Sequence, residues 1–373
     1  MGSQKKSEDL NIAIFTRILS KTMGGMERQI LSIANDLIEG GHNVIIISLD
    51  QVIPDLFFDA NSKIQFVPIS EGNASLNADI VERLKRQKKV FKLLKDKQID
   101  VAITFMTGAY WYSAIPIRLR GIGLILAERN SPTIYDHIRV GRMRHLIFAS
   151  MVLASKITVQ FESYRDRYPF YLRRRIVEIP NKIPQYVTNA RPSDTRFHFV
   201  YAGRFSHQKQ ILELAHAFIS FHKQNPETIL EIYGDGELKK DLEQIISSNG
   251  AEIYITLNPA VVQINLALMR ADTLLAPSLW EGFPNSVAEA LSYGVPVGGF
   301  SDCDGVCDLV NHGENGWLIK RTDREGSILK LLQTIYEDRS TLPIKSINAK
   351  KSMLKYQGEE ANIRWETLLR KLT

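Results

Sequence analysis

Residues 277–290 read Pro-Ser-Leu-Trp-Glu-Gly-Phe-Pro-Asn-Ser-Val-Ala-Glu-Ala. The mostly apolar run Ala271–Ala276 before them is short enough for a buried strand. Val287–Tyr293 suits a short helix that Gly294 and Pro296 stop. Strand, tight loop and helix in that order put a helix N-terminus at the carboxyl edge of a sheet, where open α/β sheets hold ligands. The N–H groups of Ser286 and Val287 would leave that helix end without internal partners. Together with the helix dipole they favour a phosphate or another anion.

Two glutamates bracket this end. Glu281 is placed in the loop and Glu289 on the helix's first turn. Glu289 has two readings. Ser286-Val-Ala-Glu289 fits a capping box, in which its carboxylate only satisfies a backbone donor. A capping box does not, however, require Glu-Gly-Phe-Pro directly upstream, and a ligand contact accounts for both.

Glu281-Gly-Phe-Pro-Asn-Ser-Val-Ala-Glu289 with Ala290-Leu-Ser-Tyr-Gly294-Val-Pro296 resembles the signature of retaining glycosyltransferases of family four. The resemblance implies an α/β chain of the GT-B class, two Rossmann-like domains with parallel sheets facing each other across a cleft. It implies that Glu289 grips the ribose of a nucleotide sugar and that Glu281 lies against the transferring sugar. The helix end meets the diphosphate, and Gly282, Phe283, Pro284, Asn285, Ser286 and Val287 complete the nucleotide-sugar site.

Upstream, Phe197–Ala202 reads as a strand feeding Gly203-Arg204-Phe-Ser-His-Gln-Lys209-Gln210. Arg204 and Lys209 would flank the same helix end, and two cations there match the charge of a departing diphosphate. Gly-Arg-x-x-x-x-Lys also matches the family's phosphate pair, with Gln210 where asparagine is frequent. Arg204, Lys209 and Glu281 are therefore the expected catalytic set. Near the start, Asn11–Thr16 reads as a buried strand and Gln29–Glu39 as a helix. Gly24-Gly25 between them suits a tight turn or, by resemblance, the glycine loop near donor or acceptor. Glu128-Arg129-Asn130 follows the apolar run Leu124–Ala127 and suits acceptor or sugar contacts, an ordinary ion pair being the alternative. The histidine many relatives carry after the fourth strand is missing from Phe105-Met106-Thr107-Gly108. His42, at a turn, reads as structural, and Ile253–Thr256 reads as a strand.

At 373 residues, with 44% hydrophobic and 24% charged residues, the chain has the length and composition of two soluble domains. The expected division is a disordered N-terminus (1–9), an acceptor-side domain (10–184), a hinge (185–195), a nucleotide-sugar domain (196–355) and a C-terminal helix returning to the first domain (356–373). Residues 1–185 carry 27 Lys and Arg against 18 Asp and Glu, whereas residues 186–373 carry 20 against 23. The basic half points to an anionic partner. No nucleic-acid module accompanies it, so a membrane surface or phosphate-bearing lipid fits better. Eight of those cations lie on one predicted helix, Asp79–Lys97, around an apolar line of Leu84, Val90, Phe91 and Leu94. In His137–Ser155, the apolar Leu146, Ile147, Phe148, Met151, Val152 and Leu153 are expected in the core, behind Arg139, Arg142, Arg144 and His145.

Cys303 and Cys307, spaced as Cys-x-x-x-Cys, read as free thiols. No apolar run approaches the ~20 residues of a membrane span, and no secretory signal opens the chain, so a cytoplasmic protein is expected, peripheral on the membrane's inner face. By resemblance the reaction passes a sugar from UDP to an acceptor hydroxyl with retention, without metal or cofactor. A lipid-linked glycan of surface-polysaccharide assembly is the leading acceptor. A sugar-nucleotide epimerase and a non-catalytic glycan- or lipid-binding protein are the rival classes.

Overall fold

Among the described residues thirteen short strands, most of them buried, alternate with helices, which is the pattern of parallel sheets covered on both faces. A computed structural model describes residues 9–20, 24–70, 79–137, 143–184, 196–260 and 264–373. The expected disordered segment, the hinge, and Arg139 and Arg142 lie largely or wholly outside them. The chain divides into two compact units, Met1–Asn181 with Glu359–Thr373, and Lys182–Gly358.

The first unit runs β1 (Asn11–Phe15), α1 (Gly25–Glu39), β2 (Asn43–Ser48), β3 (Gln65–Pro68), α2 (Ile80–Asp96), β4 (Val101–Phe105) and α3 (Met106–Leu119). It continues through β5 (Gly123–Ala127), α4 (Ile134–His137), α5 (Arg144–Ser150), β6 (Lys156–Val159), α6 (Phe170–Arg173) and β7 (Ile176–Glu178). Its sheet has the order β3-β2-β1-β4-β5-β6-β7, every pair parallel. Ile12 and Ile14 stand beside Val44 and Ile46 on one side and Val101 and Ile103 on the other. These residues form a core that α1 covers with Ile30, Ala34 and Leu37.

The second unit runs β8 (Phe197–Ala202), α7 (Ile211–His222), β9 (Thr228–Tyr233), α8 (Lys239–Ser248), β10 (Ile255–Asn258), α9 (Asn265–Leu268), β11 (Thr273–Ala276) and α10 (Asn285–Tyr293). Then follow β12 (Val297–Phe300), α11 (Val306–Leu309), β13 (Gly316–Ile319), α12 (Glu325–Glu337) and α13 (Leu342–Met353). The order β10-β9-β8-β11-β12-β13 is again all parallel. The strand expected at Ile253–Thr256 lies two residues later, and Ile253 is exposed, because Ala251–Tyr254 form a turn closed by Tyr254 N–H on Ala251 C=O. The last helix, α14 (Glu360–Arg370), belongs to the first unit. It places Trp365, Leu368 and Leu369 in that unit's core. His42 is buried, accepting from Leu10 N–H at Nδ1 and meeting Glu366 of α14 at 2.7 Å through Nε2.

Side chains on the other face of the first sheet depart from the sequence reading. On α2, Val90 and Leu94 are buried, whereas Leu84 and Phe91 are turned outward. Arg86, read as a surface cation, is buried with its Nε on Glu82 at 3.1 Å. The helical period explains both: residue 86 shares its face with 90 and 94, while 84 and 91 share the opposite one. Val152 and Leu153, expected inside, are exposed, because the helix ends at Ser150 and the next turn is 3-10, which rotates the face; Leu146, also expected inside, is exposed on the side of α5 away from the buried Ile147 and Phe148.

Candidate active site

Helix α10 starts at Asn285, two residues earlier than the pattern suggested, with Pro284 in extended conformation before it. Its first intrahelical bond is from Ala288 N–H to Pro284 C=O at 3.1 Å. Asn285, Ser286 and Val287 therefore supply the first-turn N–H groups. This start overturns two details. Ser286 is the second helical residue rather than the cap, so the capping box is not formed. Glu289 is the fifth residue, beyond the first turn, and shares a face with Asn285 at i, i+4.

Loop 277–284 brings Glu281 to Lys209. The ammonium lies 2.5 Å from Glu281 Oε1, which also accepts from the Ser278 hydroxyl at 2.6 Å. Both side chains are largely shielded from water, which strengthens the attraction relative to a surface pair. Burial, and secondarily the charge of Glu281, push the nearby Tyr201 phenol well up. Tyr201 thus stays neutral and donates to the Arg204 carbonyl at 3.1 Å, fixing the turn that carries Arg204, whose side chain is exposed. The thiol of Cys303 is also pushed up, by burial first and Glu281 second, and so is a poor nucleophile. Neither Cys303 nor Cys307 forms a disulfide.

Arg321, Gln208 and Asp304 hold this loop. Arg321, just past β13, donates to Pro277 and Ser278 carbonyls (3.3 and 2.7 Å) and to the Gln210 side-chain carbonyl. Its guanidinium stacks 4.0 Å from the Phe300 ring centroid. Gln208 accepts from Leu279 N–H at its own carbonyl and donates to Trp280 C=O through its side chain, 2.8 and 2.7 Å. Asp304 C=O accepts from Glu281 N–H at 3.1 Å. The signal for them is a polar residue just past a strand end, which marks the ligand edge. Gln210 is in the left-handed region (φ 50, ψ 40), which asparagine tolerates better than glutamine.

At the corresponding edge of the first sheet, Gly24 precedes α1 and Gly25 begins it, with the Glu27 carboxylate filling the space a Gly24 side chain would need. Asp50, which no motif marks, steadies the loop after β1 by accepting from Leu19 and Ser20 N–H (3.0 and 3.3 Å). Glu128 and Arg129 are buried. Glu128 accepts from the Tyr135 hydroxyl at 3.0 Å and from the backbone of Thr107, at the N-terminus of α3. Arg129 lies over the rings of Phe105 and Trp365 and donates to Ile179 C=O at 3.1 Å. Asn130 is half-buried, with its amide toward Met106 Sδ, so it can meet a ligand with the least rearrangement of the three.

Burial pushes Glu128 up to about 7, against Tyr135, Thr107 and Arg129, which each pull it down. The folded state therefore holds a proton that the unfolded chain releases near 4.5. Stability from this group is present below that value and is lost as pH rises towards 7. Glu128→Gln, which cannot ionise, should gain on the parent across that window by about 2–3 kcal/mol. Denaturant titrations of both proteins check it; a constant difference from pH 4.5 to 8 would show that Glu128 stays ionised.

Residues 185–353 match the family described as glycosyl transferases group 1. An uncharacterized glycosyltransferase of Haemophilus influenzae is 25% identical over 81% of this chain and 84% of the relative. The UDP-Gal:alpha-D-GlcNAc-diphosphoundecaprenol alpha-1,3-galactosyltransferase of Escherichia coli is 24% identical over 80% of this chain and 81% of its own. Anabaena HepE, solved in complex with UDP-glucose, superposes with a TM-score of 0.77 at 17% identity, covering 97% of this chain and 100% of that one. The fold is GT-B, built from two Rossmann-like units.

Proposed function

We propose that this chain is a retaining glycosyltransferase of family four. It moves an N-acetylhexosamine or hexose from UDP to a hydroxyl of a lipid-linked glycan, on the cytoplasmic side of a membrane, in surface-polysaccharide or glycoconjugate assembly. The observation that carries the reading is the Lys209–Glu281 pair, which joins the loop after β8 to the loop that leads into α10. A cation held by a carboxylate close to a helix N-terminus is a charge poised to exchange partners when a diphosphate arrives.

In the proposed step the bond from the anomeric carbon to the diphosphate oxygen breaks and the acceptor oxygen bonds to the same face of that carbon. The acceptor proton passes to the departing phosphate oxygen, so no protein base is required. Arg204, Lys209 and the N–H groups of Asn285, Ser286 and Val287 stabilise the charge that develops on UDP. Glu289 holds the ribose, and Glu281, released from Lys209, faces the sugar. Within the first unit, Gly24, Gly25 and Asn130 are the candidates for a substrate contact. Transfer to a lipid-linked acceptor is supported by the Escherichia coli relative, whose name specifies a diphosphoundecaprenol acceptor.

The test is acceptor-dependent UDP release by the purified chain, with a panel of UDP-sugars and polyprenyl-diphosphate-linked acceptors. NMR of the product's anomeric proton should show the donor's configuration. Because protein groups supply the positive charge, EDTA should leave the rate unchanged. An inverted product would overturn retention, and sugar-nucleotide conversion without acceptor would identify an epimerase.

A further inference from the structure

On α3, Trp111, Ile115 and Leu119 follow one another at i, i+4 and i+8 and are 49%, 48% and 72% exposed. A singly exposed leucine is ordinary; an apolar row along most of one helix is not. Helix α2 packs beside α3, and Arg120 lies over the Phe91 ring at 5.1 Å, joining the two helices near their C-terminal ends. On the neighbouring side Tyr110 donates to Ser150 C=O at 2.8 Å, tying α3 to α5, whose Leu146 is 65% exposed. The outer face of α2 adds Leu84 among the exposed Lys85, Lys88, Lys92 and Lys95. One face of the first unit thus presents an apolar ridge with a cationic strip beside it.

We infer that this α2–α3 face docks on an anionic lipid bilayer, with Trp111, Ile115 and Leu119 entering the headgroup boundary and the α2 lysines meeting lipid phosphates. The occupant follows from the pairing of chemistries. An interfacial helix buries its apolar side in the acyl boundary while adjacent cations are attracted to anionic headgroups. A tryptophan on the ridge suits that boundary, having an apolar ring and one polar N–H. The row is hidden in the sequence because α3 is apolar on several sides, and only packing shows which side is left uncovered. The inference stands whether or not the second unit transfers a sugar.

Trp280, Trp317 and Trp365 are 9%, 1% and 3% exposed, so Trp111 is the exposed tryptophan of the chain. With vesicles of phosphatidylcholine and phosphatidylglycerol in equal parts, the full chain should float with the vesicles and its emission should shift to shorter wavelength. Phosphatidylcholine alone or high salt should weaken both. Trp111→Phe should still float but lose the shift. Ile115→Ser with Leu119→Ser, at exposed positions that leave the core intact, should lower partitioning on the order of ten-fold or more. Lys85→Glu with Lys88→Glu should remove the preference for the anionic lipid. Absence of flotation, or flotation unaffected by the serine pair, overturns the inference. A concentration-dependent dimer that the serine pair abolishes, without vesicle binding, would overturn it too, making this face an interface between copies.

Discussion

Lys209→Ala is expected to lower kcat by about 10²–10³-fold, the usual consequence of removing one preorganised donor from developing charge. The donor should also bind more weakly, since the charge is lost from the bound diphosphate as well as from the transition state. The loss has a second component that must be separated from the first. Glu281 is 8% exposed, and its carboxylate is held by Lys209 and the Ser278 hydroxyl. Removing the ammonium takes a charged partner from a shielded carboxylate, which should cost about 1–3 kcal/mol of stability. Lys209→Met combined with Glu281→Gln removes both charges and should recover much of that stability while activity stays low. Steady-state kinetics beside denaturant unfolding decide the matter. If the double substitution restored turnover with stability, Lys209 would be a structural partner of Glu281 and nothing more.

Gly305→Ala should damage both stability and turnover although residue 305 touches no proposed substrate. Its φ is +80, in the region that disfavours side chains. A Cβ there would stand 2.7 Å from Gly282 C=O and 3.0 Å from the Glu281 Cβ and carbonyl oxygen, so the backbone must move, not merely a flexible side chain. The conformational term alone is about 1–2 kcal/mol, and displacement of the loop adds to it. Because Glu281 N–H is bound to Asp304 C=O, the shift passes directly to the residue proposed to face the sugar. A displacement near 1 Å can cost on the order of 10²-fold in rate. Circular dichroism melts and UDP-release rates below the midpoint measure the two effects apart. A lowered midpoint with unchanged kcat would show that the loop absorbs the intrusion without moving Glu281.

Much of the fold is legible in the sequence because both sheets are buried on two faces. Their strands are therefore short, mostly apolar runs, such as Phe197–Ala202, which forms where the pattern puts it. Boundaries shift where local signals compete. Ser286 looks like a cap, yet the extended residue before the helix is Pro284, whose φ of −74 already suits a helix entry. Its carbonyl accepts from Ala288, so the first turn takes in Asn285 and leaves Ser286 inside it. Arg86 counts as a surface cation by residue type and is nonetheless buried, because charge alone does not reveal which side of a helix is covered.

By itself the sequence determined the alternation of strand and helix, the glycines and prolines that end several elements, and the charged residues, Lys209 and Glu281 among them, that stand in the loops between them. These are local properties, set by periodicity and by residue types a few positions apart. Only the tertiary structure decided what holds that chemistry in place. Arg321 reaches Pro277, Ser278 and Gln210 from another strand's end, Gly305 makes room for Gly282, and Trp365 joins a core begun at Leu10. Such contacts join residues far apart along the chain. They exist only once parallel strands have aligned their carboxyl ends along one edge.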